Sequence, residues 1–309
     1  MTAATAAAGA VQLLGCVAVA PLLPGTVQHL KARLQGRPGP SPLQPYRELR
    51  RLWRKSGVAP QPRTVIYELA PATVAGTLLI AALLVPIGGH APDWGIGHDA
   101  LVLVGLLALG RFAIALAAWD TGGAFGLIGA ARDLTFAVPV EAVLLLVVVV
   151  LALPSGSTDL LALSALATTA EAWSEPAHWA AALAFGIVVL AELGRQPVDN
   201  PDTHLELTMV HEGPLLEYAG RDLAYLQWAV AARHWILLVL ATELFVPRPE
   251  PFLAQVATLA GALPTWCVVL AVVETTQAKM RVLRVPVLIG TGAAICLLAL
   301  ISWHVRGGA

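Results

Sequence analysis

Leu134-Thr135-Phe136-Ala137-Val138-Pro139-Val140-Glu141-Ala142-Val143-Leu144-Leu145-Leu146-Val147-Val148-Val149-Val150-Leu151-Ala152-Leu153 is a run of twenty residues with a single charge, Glu141. As a helix it rises about 30 Å, the thickness of a bilayer's hydrocarbon core. Outward from it, seven more segments fit the same template, at 5–27, 65–88, 99–119, 178–194, 225–247, 252–275 and 285–304. The whole chain of 309 residues is 57% hydrophobic and 13% charged, with a mean hydropathy of +0.73, more apolar surface than a soluble domain can bury. The expected fold is an all-α polytopic membrane protein: one integral membrane domain over 1–309 with about eight transmembrane helices. The leading residues carry no basic segment, so the first span is expected to be retained rather than cleaved.

Charge sets the orientation. Between spans one and two, 28–64 holds nine basic residues (Lys31, Arg33, Arg37, Arg47, Arg50, Arg51, Arg54, Lys55 and Arg63), whereas 89–98 and 154–177 hold none. The positive-inside bias makes the basic loop cytoplasmic. Following the chain, Arg132, Arg195, Arg221, Lys279, Arg281 and Arg284 also fall inside, and only Arg248 and Arg306 fall outside. Eight spans then leave both termini on the outer face and place the long acidic loop between spans five and six in the cytoplasm. Within the basic loop, 42–55 sets Leu49, Leu52 and Trp53 on one helical face and Arg47, Arg50, Arg51 and Arg54 around the other. This is an interfacial amphipathic helix, serving as a headgroup anchor, as a docking face for a soluble arm, or both.

A net charge of −1 with no basic groove gives no reason to expect nucleic acid. Cys16, Cys267 and Cys296 each lie in apolar stretches without a Cys-x-x-Cys pair, which favours core packing over a disulfide or metal site. His204 and His211 could share a helical face, but histidines hydrogen-bonded to carboxylates are commoner than two-histidine metal sites, and no metal is expected. Phosphate-loop, dinucleotide and triad motifs are absent, so no cofactor is expected in this chain. No span pair shares a motif, which disfavours an independent carrier.

Against that apolar background the ionisable residues stand out, because a charge at mid-bilayer costs about 3 kcal/mol on insertion scales. They are Glu68, Arg111, Glu141, Glu192, Arg233, Glu243 and Glu274 on the spans, with Asp199, Asp202, Glu206, Glu212, Glu217 and Asp222 following span five. Glu141 and Glu192 weigh most. Each has a bland alternative as half of a salt bridge, Glu192 with Arg195 and Glu141 with Arg132 or Arg111. Glu68, Glu243 and Glu274 lie near span ends, where snorkelling to the interface is expected. Taken together, the acids read as a proton-coupling chain: Glu141, Glu192, Asp199, Asp202, Glu206, Glu212 and Glu217, with Arg132 and Arg195 orienting or pairing. Pro197 and Pro201 break span five, and 202–218 is compatible with a short re-entrant helix.

Ordered motifs along nearly the whole chain carry a resemblance: Gly-Pro-Ser-Pro-Leu-Gln-Pro-Tyr (39–46), Asp-Thr-Gly-Gly-Ala-Phe-Gly-Leu-Ile-Gly-Ala-Ala-Arg-Asp (120–133), Pro-Val-Asp-Asn-Pro (197–201), His-Leu-Glu-Leu-Thr-Met-Val-His-Glu (204–212) and Leu-Glu-Tyr-Ala-Gly (216–220). The chain resembles the complex I subunit 1 family (NADH dehydrogenase subunit 1). Within it, the chain looks most like the membrane subunit of group 4 nickel–iron hydrogenases of the formate hydrogenlyase type. His204 in place of an acid, a longer stretch between Glu206 and Glu217, and an acid missing from the following span, with Arg233 and His234 farther along it, favour that branch over the quinone-reducing one. The resemblance implies a membrane foot in a prokaryotic inner (plasma) membrane beneath a soluble arm. The NiFe centre and iron–sulfur clusters would belong to partners: hydrogenase large and small subunits and an iron–sulfur subunit, with antiporter-like membrane subunits alongside. The rival expectations are the quinone-site subunit of an NADH:quinone oxidoreductase and a purely structural anchor.

Overall fold

The computed structural model describes residues 3–92, 97–166, 169–199 and 210–307. They form helices α1 (Ala3–Leu14), α2 (Leu22–Leu34), α3 (Gln44–Trp53), α4 (Val65–Leu84), α5 (Ala100–Thr121), α6 (Ala124–Ala152), α7 (Leu160–Leu166), α8 (Ala170–Ser174), α9 (Pro176–Glu192), α10 (Gly220–Phe245), α11 (Phe252–Thr276) and α12 (Val285–Gly307). Among the described residues the β structure is confined to two isolated bridges, Ile87 with His90 and Asp99 with Asp159. The all-helical membrane architecture expected from the sequence is the one observed.

All eight predicted segments fall on helices, but they are not equivalent. Six helices (α4, α5, α6, α10, α11 and α12) are long and apolar enough to cross a bilayer. The first predicted span is a bent pair, α1 and α2, turned by 53°. Its break has an identifiable cause. One π-helical turn, Gly15–Val19, brings Gly15 against the Trp235 indole of α10, where a Cβ would lie 1.9 Å from the ring. Gln12 locks the join, donating to the Val85 carbonyl at 2.6 Å and accepting from Trp235 Nε1 at 2.8 Å. The fifth predicted span is α9, which has 17 residues and rises only about 26 Å. It stops at Glu192, short of the two prolines expected to end it, and Gly194 at φ +58° turns the chain.

α10 is the central post: every residue from His234 to Leu244 is buried, the signature of a helix enclosed on all sides. Around it the bundle has two distinct ends. At one, the basic segment 28–64 meets the α5–α6 junction at 120–123, the described residues 193–199 and 210–219 between α9 and α10, and 277–284. There Asp120 accepts from the Thr64 amide at 2.7 Å, Tyr67 donates to the Glu217 carbonyl at 2.8 Å, and the Met280 amide donates to the Pro197 carbonyl at 2.9 Å. At the other end lie the turn Ile87–His90, the Asp99–Asp159 bridge and Arg248, which donates to the Ser164 carbonyl at 2.8 Å. Gly9 of α1 packs on Pro92 and Trp303 of α12 lines a cavity with Pro154 and His178, so the first and last helices point their outer ends to this second, basic-poor side.

α3 matches the amphipathic segment expected at 42–55. Leu52 is buried, Trp53 lies edge-on to Tyr225 of α10 at 5.1 Å, and Arg47, Arg50, Arg51 and Arg54 are exposed. Cys16, Cys267 and Cys296 are all buried in the core. Of the stretch 202–218, residues 202–209 lie outside the described residues. The remainder holds one 3-10 turn, Gly213–Leu215, rather than a re-entrant helix. That turn packs on α6 backbone to backbone, since a Cβ on Gly129 would sit 2.7 Å from Gly213 Cα.

Candidate functional site

Three helices aim charged side chains at one point inside the basic half of the bundle. Arg111 sits midway along α5, Arg233 midway along α10, and Glu192 is the last residue of α9. One oxygen of Glu192 accepts from Arg111 Nη2 and from Arg233 Nη1, each at 2.8 Å. Glu192 is 3% exposed and Arg111 4%. Arg233 also donates to the Leu107 carbonyl at 3.2 Å, tying α10 to α5. On the far side of Arg111, Asp133 of α6 lies 3.9 Å from Nη1, and its Oδ1 is buried without a hydrogen-bond partner among the described residues. A cavity of about 80 Å³ is lined by Arg111, Asp133, Glu192, Arg233 and His211.

His211 faces a second group. Its Nε2 is 3.6 Å from Asp133 Oδ1 and its Nδ1 is 3.5 Å from Asp199 Oδ2, while Lys279 Nζ lies 2.7 Å from the other Asp199 oxygen. Burial pushes the Asp199 carboxyl up. Hydrogen bonds and charge from His211 and Lys279 outweigh it and hold the carboxyl well below the usual carboxylate range. Beside it, Arg195 donates to Glu274 at 2.9 Å and contacts His234 Nε2 at 2.8 Å, and Lys31 of α2 closes on the other Glu274 oxygen at 3.2 Å. A wider cavity of about 660 Å³ opens between α2, α3 and the segment after α9, lined by Glu48, Arg195, Asp199, His211, Glu212 and His234.

The expected site residues therefore divide. Glu192, Asp199 and Arg195 are in the network. Glu141 is half-buried on α6 and makes no hydrogen bond or ion pair among the described residues; its electrostatic neighbours are Glu192, Arg111, Arg233 and Asp133. Glu212 lines the wider cavity. Glu217 packs over the Gly122–Gly123 break between α5 and α6, and its carbonyl receives the Tyr67 hydroxyl. Burial, with like charge from Tyr67 and Asp222, pushes the neighbouring Tyr218 hydroxyl well above its ordinary range. Arg132 is half-buried on α6, and Asp202, Glu206 and His204 lie outside the described residues.

Two expectations are corrected. The salt bridges foreseen for Glu192 with Arg195, and for Glu141 with Arg132 or Arg111, do not form; Glu192 takes Arg111 and Arg233, and Arg195 takes Glu274. Nor do Glu243 and Glu274 snorkel: they are 7% and 3% exposed, because neighbouring segments roof both span ends. Glu68 is exposed beside Arg63, at 3.2 Å. Asp133, Lys31, Lys279, His211 and His234 were not singled out as site residues by the sequence, although Asp133 and His211 lie inside motifs that were quoted.

Known proteins match the chain along nearly its whole length. It is 33% identical over 294 residues to hydrogenase-4 component C of Escherichia coli, covering 92% of this chain and 91% of that one. It is 32% identical over 305 residues to formate hydrogenlyase subunit 4 of the same organism, covering 94% and 96%. An NADH-quinone oxidoreductase subunit of Salinibacter ruber is more distant, at 25% over 259 residues, covering 79% and 74%. The fold is shared with a chain of the archaeal membrane-bound sulfane sulfur reductase, a respiratory membrane complex, at a TM-score of 0.81 and 19% identity, covering 95% and 97%. The family model described as NADH dehydrogenase matches residues 8–305, and with these relatives it establishes that the chain belongs to the NADH dehydrogenase subunit 1 family.

Proposed function

We propose that this chain is the membrane-anchor and proton-coupling subunit of a multi-subunit hydrogenase of the formate hydrogenlyase type, lying in a prokaryotic plasma membrane with its basic end in the cytoplasm and both termini outside. The soluble arm, with its large and small hydrogenase subunits, iron–sulfur subunit, NiFe centre and clusters, docks on the basic end, where α3 presents Arg47, Arg50 and Arg51 and its C-cap presents Arg54. Antiporter-like subunits stand beside it in the membrane.

The observation that carries this reading is the shared carboxylate of Glu192 between two guanidiniums on different helices. A structural clamp needs one partner per charge. Here two positive groups, Arg111 and Arg233, face three acids, Glu192, Asp133 and Glu141, leaving one net negative charge when all are ionised. One proton neutralises the set, and Glu141, the acid without a fixed partner among the described residues, is the group placed to accept it. An uncompensated charge in a low-dielectric interior is costly, so loading and unloading that proton shifts the balance between helix arrangements by a usable amount. Asp199 and Glu212 line the wider cavity on the approach to this set; Asp202, Glu206 and Glu217 belong to the same coupling chain by sequence, with Arg132 and Arg195 orienting.

The test is Glu192→Gln in the intact complex reconstituted into vesicles. The amide keeps the shape and one acceptor but removes the charge. The expected outcome is retained assembly with ion movement per hydrogen formed falling toward zero; unchanged movement defeats the coupling role and leaves a structural anchor. A quinone-site reading has the wider cavity in its favour. Copurification of a hydrogenase large subunit decides against it.

A further inference from the structure

His211 is the titratable residue that, among the described residues, lines both the narrow and the wide cavity. The other residues common to both, Leu193, Leu215 and Val230, are apolar. We infer that His211 is the proton-transfer residue joining the two: a proton enters the buried charge set from the wide cavity through its imidazole ring.

Three observations carry this. Its two nitrogens face two different acids, Asp199 on the wide side and Asp133 on the narrow side, at 3.5 and 3.6 Å. Those separations close to hydrogen bonds with a small shift or an intervening water. Next, Asp133 Oδ1 is a buried acceptor with no hydrogen-bond donor among the described residues, and a buried acceptor left unsatisfied is unfavourable. A proton on Nε2 supplies the donor it lacks. Finally, the chain gives up a side chain to admit the ring: Gly194 stands at φ +58°, and a Cβ there would lie 2.7 Å from His211 Nδ1.

The step balances within the ring. A protonated water in the wide cavity gives one proton to Nδ1, one O–H bond breaking as one N–H bond forms. The imidazolium then releases the Nε2 proton to Asp133 or to water in the narrow cavity, breaking one N–H bond, and no electrons change hands. The ring is left as the other tautomer and resets by turning over. The charged groups around it are Glu212 on its own segment, Asp133 of α6, Asp199 and Arg195 after α9, and Lys279 after α11, with Arg111, Glu192 and Arg233 across the narrow cavity. Imidazole suits the place because either ring nitrogen can bind or release a proton, so one can take it up as the other gives it up.

This inference rests on the coupling role proposed above, and the experiment separates the two. In the reconstituted complex, His211→Gln is expected to slow proton movement by about a hundredfold, the scale of a lost acid–base group. In His211→Ala, millimolar imidazole entering the wide cavity is expected to restore part of the rate, a rescue that a packing role does not give. If Glu192→Gln uncouples the complex while His211→Gln translocates normally, or if imidazole rescues nothing in His211→Ala, the relay is overturned and the coupling reading stands. If Glu192→Gln is itself fully coupled, the coupling reading falls. Should His211→Gln fail to assemble, His211→Asn carries the same comparison, and movement at the wild-type rate overturns the relay.

Discussion

Both ends of the bundle bury a carboxylate beside an arginine, and they use it differently. At the basic-poor end Glu243 accepts from the Gly88 amide at 2.8 Å with Arg248 at 3.4 Å, so the carboxylate caps a turn and its cation comes from the next loop. At the basic end Glu192 binds no backbone amide among the described residues; it binds two guanidiniums, one of which reaches Asp133, which faces His211, which faces Asp199 and so Lys279. The first pair is tied to the backbone through Gly88 and Ser164, although Glu243 Oε2 has no hydrogen-bond partner among the described residues. The second is a set in which every charge has a neighbour to pass a change to, with space beside it for water. A buried charge held by backbone amides marks an end of the fold, whereas one held only by other side chains can respond when any of them changes.

The harshest way to break the difference is Arg111→Met. It leaves Glu192 with one guanidinium and Asp133 with none, and stranding buried charges costs about 3–5 kcal/mol. The expected result is loss of the folded subunit, read as a collapse of its melting temperature in detergent. Double substitution of Arg111 and Glu192 to Met and Leu should recover much of the loss, because the pair is then replaced rather than broken. Arg248→Met, by contrast, should cost less: burial pulls that guanidinium below its ordinary range, and Glu243 keeps its amide donor.

A smaller, sharper intervention is Gly194→Ala. Holding a residue with a Cβ in the left-handed region costs about 1–2 kcal/mol, and the new Cβ forces His211 away from its two acids. The subunit should fold with a modest loss of thermal stability and with proton movement slowed more than stability alone predicts. Glu243→Gln is the companion at the other end: the amide still accepts from Gly88, so ion movement per turnover should be unchanged within error.

Much of this was legible before any fold was known. Twenty-residue apolar runs leave a helix no alternative in lipid, since only a helix satisfies every backbone amide within its own segment. The α3 face was legible from its arginines, and Glu192 from its isolation in an apolar run. Its partners were not, because Arg111 and Arg233 are 81 and 41 residues away and nothing local says which helices adjoin. Position along a span misled at Glu243 and Glu274. Being near a helix end frees a side chain only if water reaches that end, and here the Ile87–His90 turn covers one while Lys31 and Arg195 cover the other. His211 could not be ranked above an ordinary loop histidine because its value lies in standing between two cavities, a property of packing alone.

Below these in size stands Lys279→Met. The folded Asp199 carboxyl lies below its unfolded value near 3.9, so the stability it contributes is complete above that pH and is lost as pH falls through the folded value. Removing Lys279 raises the folded value toward the unfolded one. The mutant should therefore be less stable than wild type at neutral pH by about 1 kcal/mol or less, as expected for a partly exposed pair. That gap should narrow as the medium is acidified below about pH 4. Melting curves across pH read it directly; a gap independent of pH removes Asp199 as the cause.

The smallest effect on the chain itself is expected from Arg50→Glu with Arg54→Glu at the C-terminal end of α3. Both side chains are exposed, and such surface changes move stability by about 0.5 kcal/mol or less. Insertion and melting temperature should be those of wild type. The change should come in association: reversing two charges on the basic face repels an acidic partner that the native helix attracts, whereas the basic-poor end offers no such field to disturb. If the soluble subunits no longer copurify, α3 is a docking face. If they copurify fully while binding to anionic vesicles weakens, the arginines anchor lipid and the arm is held by the loops around Asp199 and Glu212 instead.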